Sequence, residues 1–222
     1  MFYEINIETK HPIAFDSNDH INPLGTKNDN YSKEEFIFDI ERTFNMNRPL
    51  CFMDLGCAGG RLVKDVLQRG HIAVGLEGSD YNARTQRAEW PSLYLKNIFT
   101  CDVSRNYTVF ISRDNEKKIF ECDVISAWEV VEHIPTERLQ VFFENIRKHL
   151  KIGGHFYCGI CQVGSQIGPL VYHNSVFKKE FWKTEILNKL QGLKLQDYPY
   201  ALHRAVHYEP NNSFYIMLER IS

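Results

Sequence analysis

The stretch from Pro49 to Gly70, PLCFMDLGCAGGRLVKDVLQRG, constrains the fold more than any other part of the chain. A continuous apolar run passes through one acid, Asp54, into a loop holding Gly56, Gly59 and Gly60, and then into a segment of helical spacing. A short apolar run without alternation is the pattern of a strand covered on both faces, as in a parallel sheet. Glycines at its end let the main chain turn tightly into a helix and come close to a ligand, with amide N–H groups available. Strand, bare loop and helix in that order begin a β-α-β unit.

The alternation then repeats. HIAVGLEGS reads as a second strand, YNARTQRAEW as a short helix, LYLKNIFTCDV as a third strand with its exit, and CDVISAWEV as a fourth. PTERLQVFFENIRKHLKIGG has the spacing of an amphipathic helix stopped by Gly153 and Gly154, and HFYCGICQV is a fifth strand. YTVFISRDNEKKIF suggests a hairpin around Asp114 and Asn115. Upstream, YSKEEFIFDIERTF opens a helix: Ser32 and Glu35 form a capping box, and Phe36, Ile37, Ile40 and Phe44 mark one apolar face. The first thirty residues show no sustained period and read as a loop-like arm. Near the end, KKEFWKTEILNKLQGL is helical, while KLQDYPY and NSFYIMLERI are strands joined only by the loop ALHRAVHYEPN, hence antiparallel neighbours.

With 222 residues and 43% hydrophobic content, one domain with its own core is expected. A net charge of -2 gives no overall positive field to gather phosphate backbones or anionic lipid, so nucleic acid is not an expected partner. No apolar run approaches the roughly 18 residues of a membrane span, and a soluble cytoplasmic protein is the expectation. The six cysteines sit mostly in strand-like settings and read as reduced thiols; Cys158 and Cys161, though spaced C-x-x-C, lack a second pair for zinc.

Spacing narrows what the glycine loop can hold. A dinucleotide fingerprint wants glycines near 56, 58 and 61, where this chain has Gly56, Ala58 and Arg61; no Gly-Lys-Ser/Thr follows to make a phosphate loop. Asp54 followed by G-x-A-x-G instead resembles motif I of the class I S-adenosylmethionine-dependent methyltransferases, with Ala58 in place of the middle glycine. CDVISAWEVVEHIP resembles motif IV of that family, KIGGHFY the helix-turn-strand after it, and SFYIMLERI its final antiparallel strand.

The resemblance implies an α/β fold: a doubly wound, mostly parallel seven-stranded sheet with an antiparallel C-terminal strand and helices on both faces. Residues 1–222 would form one methyltransferase domain: an arm or lid at 1–30, a covering helix at 31–47, a cofactor-binding core at 50–160 and substrate-side elements with the last strands at 161–222. It implies S-adenosyl-L-methionine as cofactor and S-adenosyl-L-homocysteine as product. Cofactor contacts fall on Asp54, Gly56, Cys57, Ala58 and Gly60 in the loop, on Glu77 and Gly78 after the second strand, on Asp102 and Val103 after the third, and on Trp128 and Glu129 after the fourth. Glu77 would take the ribose hydroxyls and Asp102 the adenine edge.

His133 is the candidate catalytic base, since imidazole titrates near neutrality, and Glu129 the residue to orient the acceptor. Glu129, Glu132 and His133 spell E-x-x-E-H, which resembles a divalent-metal set in some relatives and occurs in others without metal; no metal is expected. The expected reaction is O-methylation of a small-molecule or glycan-type acceptor. A methyltransferase-like binding protein without catalysis and an RNA or protein methyltransferase are the alternatives.

Overall fold

The computed structural model describes residues 3–44, 48–114, 116–197 and 212–222. Strand β1 (Glu4–Thr9) leads through two short helices, α1 (Asn18–Ile21) and α2 (Leu24–Asn28), to α3 (Glu34–Thr43). Strand β2 (Cys51–Leu55) and α4 (Arg61–Gln68) make the first β-α cycle; β3 (Ile72–Glu77), α5 (Tyr81–Thr85) and α6 (Trp90–Leu93) make the second. Then follow β4 (Ile98–Thr100), the hairpin β5 (Tyr107–Arg113) and β6 (Glu116–Ile119), β7 (Cys122–Trp128), α7 (Leu139–His149) and β8 (Leu150–Cys161). A small hairpin, β9 (Gln166–Ile167) and β10 (Leu170–Val171), precedes α8 (Lys179–Phe181), which continues through a π turn at Trp182–Ile186 to the closing strands β11 (Leu193–Gln196) and β12 (Ser213–Arg220).

Seven strands form one sheet in the order β11-β12-β8-β7-β2-β3-β4. Strand β12 runs antiparallel to both of its neighbours, while β8, β7, β2, β3 and β4 pair in parallel. This is the expected doubly wound sheet. From β2 the chain steps outward to β3 and β4, then crosses back to β7 on the other side of β2. Strand order therefore reverses between β2 and β7, and ligands collect in the crevice at such a reversal.

Side chains alternate across the sheet and feed two cores. On one face Met53, Leu55, Ile125 and Phe156 pack with Phe142, Phe143 and Ile146 of α7; on the other Phe52, Val124 and Tyr157 pack with Phe36, Ile37 and Ile40 of α3 and Val66 of α4. At the amino ends of these strands, opposite the crevice, Asp123 accepts from Arg48 at 2.6 Å, from Lys151 at 3.0 Å and from the Cys51 N–H at 2.8 Å, joining β2, β7 and β8. Among the described residues no helix is long and apolar enough to cross a membrane.

Several local expectations are corrected. The arm is not a loop: β1 pairs antiparallel with β5 from Glu4–Ser112 to Thr9–Tyr107, in a separate three-stranded sheet with β6. Its short apolar alternation, Ile5 and Ile7, gains meaning only from a partner far along the chain. Ser32 does not cap α3, which begins after Lys33 with no side-chain cap; the Ser32 hydroxyl instead donates to the buried Asp65 carboxylate at 2.6 Å, a charge-assisted bond. Helix α7 ends at His149, and Gly153 and Gly154 lie inside β8, where Gly153 adopts a φ of 77° at a shift in the register with β7. YNARTQRAEW is broken by left-handed Gln86 and Ala88 into α5 and α6. The hairpin expected around Asp114 and Asn115 forms as β5 and β6, though Asn115, the end of KLQDYPY and ALHRAVHYEPN lie outside the described residues.

Candidate active site

At the carboxyl ends of β2, β3, β4 and β7 lies a cavity of about 350 Å³, within the range of small-molecule sites. Gly56 and Ala58 line it from the first loop, Glu77 and Gly78 from the tip of β3, Asp102 and Val103 from the exit of β4. Trp128, Glu129 and His133 line the opposite wall, and the arm from Ala14 to Asp29 forms the roof. Asp54, Cys57 and Gly60 do not line the cavity.

The glycine loop provides room rather than donors. Gly56 and Gly60 take φ values of 69° and 88°, and Ala58 takes 44°, a left-handed backbone that an L side chain adopts at a cost of about 1–2 kcal/mol. That strain is held by hydrogen bonds on both sides of the residue. The Ala58 N–H donates to Glu77 at 2.8 Å, while its carbonyl accepts from Asn82 at 2.9 Å and from the Trp90 indole at 2.8 Å. The expectation of available amides is corrected: Gly56 and Cys57 both donate to the Leu76 carbonyl, Gly59 to Asp29 and Gly60 to Cys57. Buried amides are expensive to leave unpaired, and the tight turn pairs them within the protein.

Glu77 is buried, with one oxygen on the Ala58 N–H and the other on the Ser79 N–H at 3.1 Å and the Thr26 hydroxyl at 3.3 Å. Burial raises its pKa above the ordinary carboxylate range, and these donors pull it back. Asp102 turns one oxygen onto the N–H and hydroxyl of Ser104, at 2.9 and 2.6 Å. Asp54 lies behind the loop, its carboxylate taking the Ser126 hydroxyl across the β2–β7 boundary at 2.7 Å; burial raises its pKa to about 7. Cys57 packs beneath β3, where its sulfur would stand 2.7 Å from a Cβ at Gly75, and Gly60 caps α4.

On the far wall Glu129 has a φ of 54°, and its carboxylate accepts from the Ser213 hydroxyl at 3.2 Å. His133 ends a 3₁₀ turn at Val131–His133, with Nδ1 2.6 Å from Oδ2 of Asp19 on α1. Its ring stands edge-on to His173 at 4.7 Å between centroids, and its carbonyl accepts from Asn174 at 2.8 Å. Glu132 is buried, accepting the Cys161 N–H at 3.0 Å, and burial followed by the neighbouring Glu129 pushes its pKa well above the ordinary range. Donor atoms of Glu132, His133 and His173 lie within 4.8 Å of one another, as do those of Glu129, Glu132 and Cys161, so either set could hold a divalent cation.

The arm supplies what sequence reasoning missed. Ala14 donates to the Gly78 carbonyl at 2.9 Å, Thr26 reaches Glu77, and Asp29 takes the Gly59 N–H at 3.1 Å. Asp16 accepts from Arg138 at 2.5 Å and from Arg105 at 3.3 Å; Asn18 and Asn22 reach Val171 and Tyr172 beside the small hairpin. The only local signal is the helix start at Ser17, whose hydroxyl accepts the Asp19 N–H. No spacing rule ties that start to His133.

Residues 53–156 match a family model described as a methyltransferase domain. Among curated proteins none matches the sequence. Among solved structures, an S-adenosylmethionine-dependent methyltransferase from Clostridium acetobutylicum is similar at a TM-score of 0.59 and 14% identity, over 90% of this chain and 96% of that one. The magnesium protoporphyrin IX methyltransferase of Synechocystis with bound SAH gives 0.52 at 15% identity, over 85% and 83%. A plantazolicin methyltransferase, in complex with a triazolic analogue and SAH, gives 0.56 at 15% identity, over 92% and 88%.

Proposed function

We propose that this chain is a class I S-adenosylmethionine-dependent methyltransferase and that it methylates a hydroxyl of a small-molecule or glycan-type acceptor, with residues 50–160 holding the cofactor and the arm completing the acceptor side. The observation that carries this is the cavity at the strand-order reversal, with a buried carboxylate, Glu77, on one wall and an imidazole, His133, on the other. The residues fit the cofactor. Three donors occupy the roughly four acceptor sites of the Glu77 carboxylate, and the long Thr26 contact is the one that a ribose hydroxyl would replace. The Trp128 indole N–H is buried with no hydrogen-bond partner among the described residues, which gives the wall an unused donor for the cofactor's carboxylate end. Asp102 and Val103 would hold the adenine, and Gly56 and Ala58 leave room for the amino-acid part.

The cofactor, when bound, supplies a methyl group already activated on a sulfonium. The protein's task is alignment, worth about 7–11 kcal/mol when two reactants are held in register, together with removal of a proton from the acceptor. His133 is the base of this reading and Glu129 stands beside it to orient the hydroxyl. Carboxylates of Asp16, Asp19, Asp29, Asp102 and Glu129 line the cavity, and its arginine, Arg138, is bound to Asp16. Such a wall favours a neutral hydroxylated acceptor over a phosphate-bearing one. The small-molecule acceptor named for the Synechocystis enzyme supports the same class. A cytoplasmic location goes with this reading.

Titration with S-adenosylhomocysteine tests the cofactor half: binding that collapses in Glu77→Ala supports it, and no binding to the folded protein overturns it. Tritium transfer from labelled cofactor into a fractionated cell extract tests the acceptor. Label in the small-molecule or glycan fraction supports the proposal, label in RNA or protein replaces the acceptor class, and no transfer leaves a binding protein. The cluster of Glu132, His133 and His173 favours a second reading of proton removal, by a bound divalent cation. Loss of transfer with a chelator and its return with manganese or magnesium would select it.

A further inference from the structure

We propose that Asp19, carried by the arm, is the positioning residue for His133, so that the base becomes competent only when the arm is seated over the cofactor side of the cavity. This rests on the reading of His133 as the base.

The first step is hydrogen-bond accounting. An ionised carboxylate only accepts, so the 2.6 Å contact between Asp19 Oδ2 and His133 Nδ1 requires the proton on Nδ1. In the neutral ring Nε2 then carries the lone pair, and it is the nitrogen left to take a proton from an acceptor hydroxyl. The backbone clamps the same residue independently: Asn174 donates to the His133 carbonyl at 2.8 Å, and the His133 N–H donates to Val130 at 3.0 Å. With main chain fixed by these bonds and Nδ1 fixed by Asp19, the ring has one tautomer and one orientation.

The second step is the origin of Asp19. It lies between two anchors that both end on the cofactor half. Before it, Ala14 donates to the Gly78 carbonyl; after it, Thr26 donates to Glu77 and Asp29 accepts from Gly59. Asn30 packs on Gly59 so closely that a Cβ there would fall 2.3 Å from its side-chain oxygen. The carboxylate that sets the tautomer of His133 is thus placed by contacts to the loop and to the ribose anchor. Seating the arm completes both halves together.

The test uses the whole chain, 15N-labelled and treated with chelator so that no cation sets the tautomer. Long-range 1H–15N spectra of the imidazoles, with His133→Gln to assign the signal, should show the Nδ1–H tautomer in the wild type. Asp19→Asn should convert it to a mixture or to Nε2–H, and Asp19→Glu should restore it in part. Affinity for S-adenosylhomocysteine should change less than about threefold in Asp19→Asn, while tritium transfer into the extract fraction that labels with wild type falls about 100-fold, the scale of a misplaced base. An Nε2–H tautomer in the wild type overturns the proposal. So does an unchanged tautomer or unchanged transfer in Asp19→Asn while His133→Gln is inactive, and in that case the reading of His133 as base stands. Undiminished transfer by His133→Gln, or none by wild type, removes that reading and the catalytic role of Asp19 with it.

Discussion

The two walls of the cavity are built by different means. On the β2–β3 side, the loop from Gly56 to Gly60, Glu77 and Ser79 hold one another through main-chain amides at adjacent strand tips, and Asp54 ties the floor to β7. On the His133 side, side chains meet side chains across long stretches of sequence: Asp19 with His133, Asn22 with Tyr172, Asp16 with Arg138. The first wall is buried and cooperative, and strand-tip geometry dictates it. The second is half-exposed, and it depends on where the arm lies. Buried main-chain networks tolerate little change, whereas half-exposed pairs yield small effects one at a time.

This contrast breaks most visibly at Asp54. Its pKa in the folded protein, about 7, lies above the ordinary carboxylate value of 3.8. A raised folded value means a contribution fully present below the unfolded value and lost as pH climbs to about 7. The stability of wild type relative to Asp54→Asn should therefore fall by up to about 4 kcal/mol between pH 4 and 7 and stay level above, as urea denaturation at a series of pH values would show. A flat difference would mean that the floor is as loosely held as the far wall.

Next in size is Glu77→Ala, which should weaken S-adenosylhomocysteine about 10- to 100-fold by calorimetry, corresponding to loss of charge-assisted hydrogen bonds of about 1.4–2.8 kcal/mol. It also strands the Ala58 N–H, so a lower melting temperature should accompany the loss. Ala58→Gly works in the other direction. Relief of the left-handed alanine should stabilise the chain by up to about 1 kcal/mol, a rise of about 2–4 °C in melting temperature, with cofactor affinity preserved. The smallest effect belongs to the arm: Asp16→Asn removes a half-exposed carboxylate shared by two arginines and should cost under about 1 kcal/mol, fading in high salt. A larger loss would place Asp16 in the cooperative network and dissolve the distinction between the walls.

The same division explains what could be read from the chain. The apolar run before Asp54, the bare loop and the acid ending HIAVGLEGS are all set by local rules, because a strand tip, a crossover and a helix start are neighbours in sequence as well as in space. Ordered matches to motifs I and IV extended that local reading as far as β8. Ser32 shows where local rules fail: its capping pattern was present, yet α3 begins one residue later and the hydroxyl donates to a carboxylate on another helix. Asp19, Thr26 and Asn174 lay beyond reach for a related reason, since each acquires its role from one partner more than forty residues away, and no periodicity records such pairs.

The strand pairing of β1 with β5 has a consequence for how the molecule comes into being. Residues 4–9 leave the ribosome about a hundred residues ahead of Tyr107–Arg113, and the edge that receives them does not exist until that strand has been synthesised. Until then the roof over the crevice has nothing to fasten its outer end. A nascent chain that has already wound β2, β3 and β4 is thus a vessel without a cover, and its capacity to hold a nucleoside should appear only after the β5–β6 hairpin emerges.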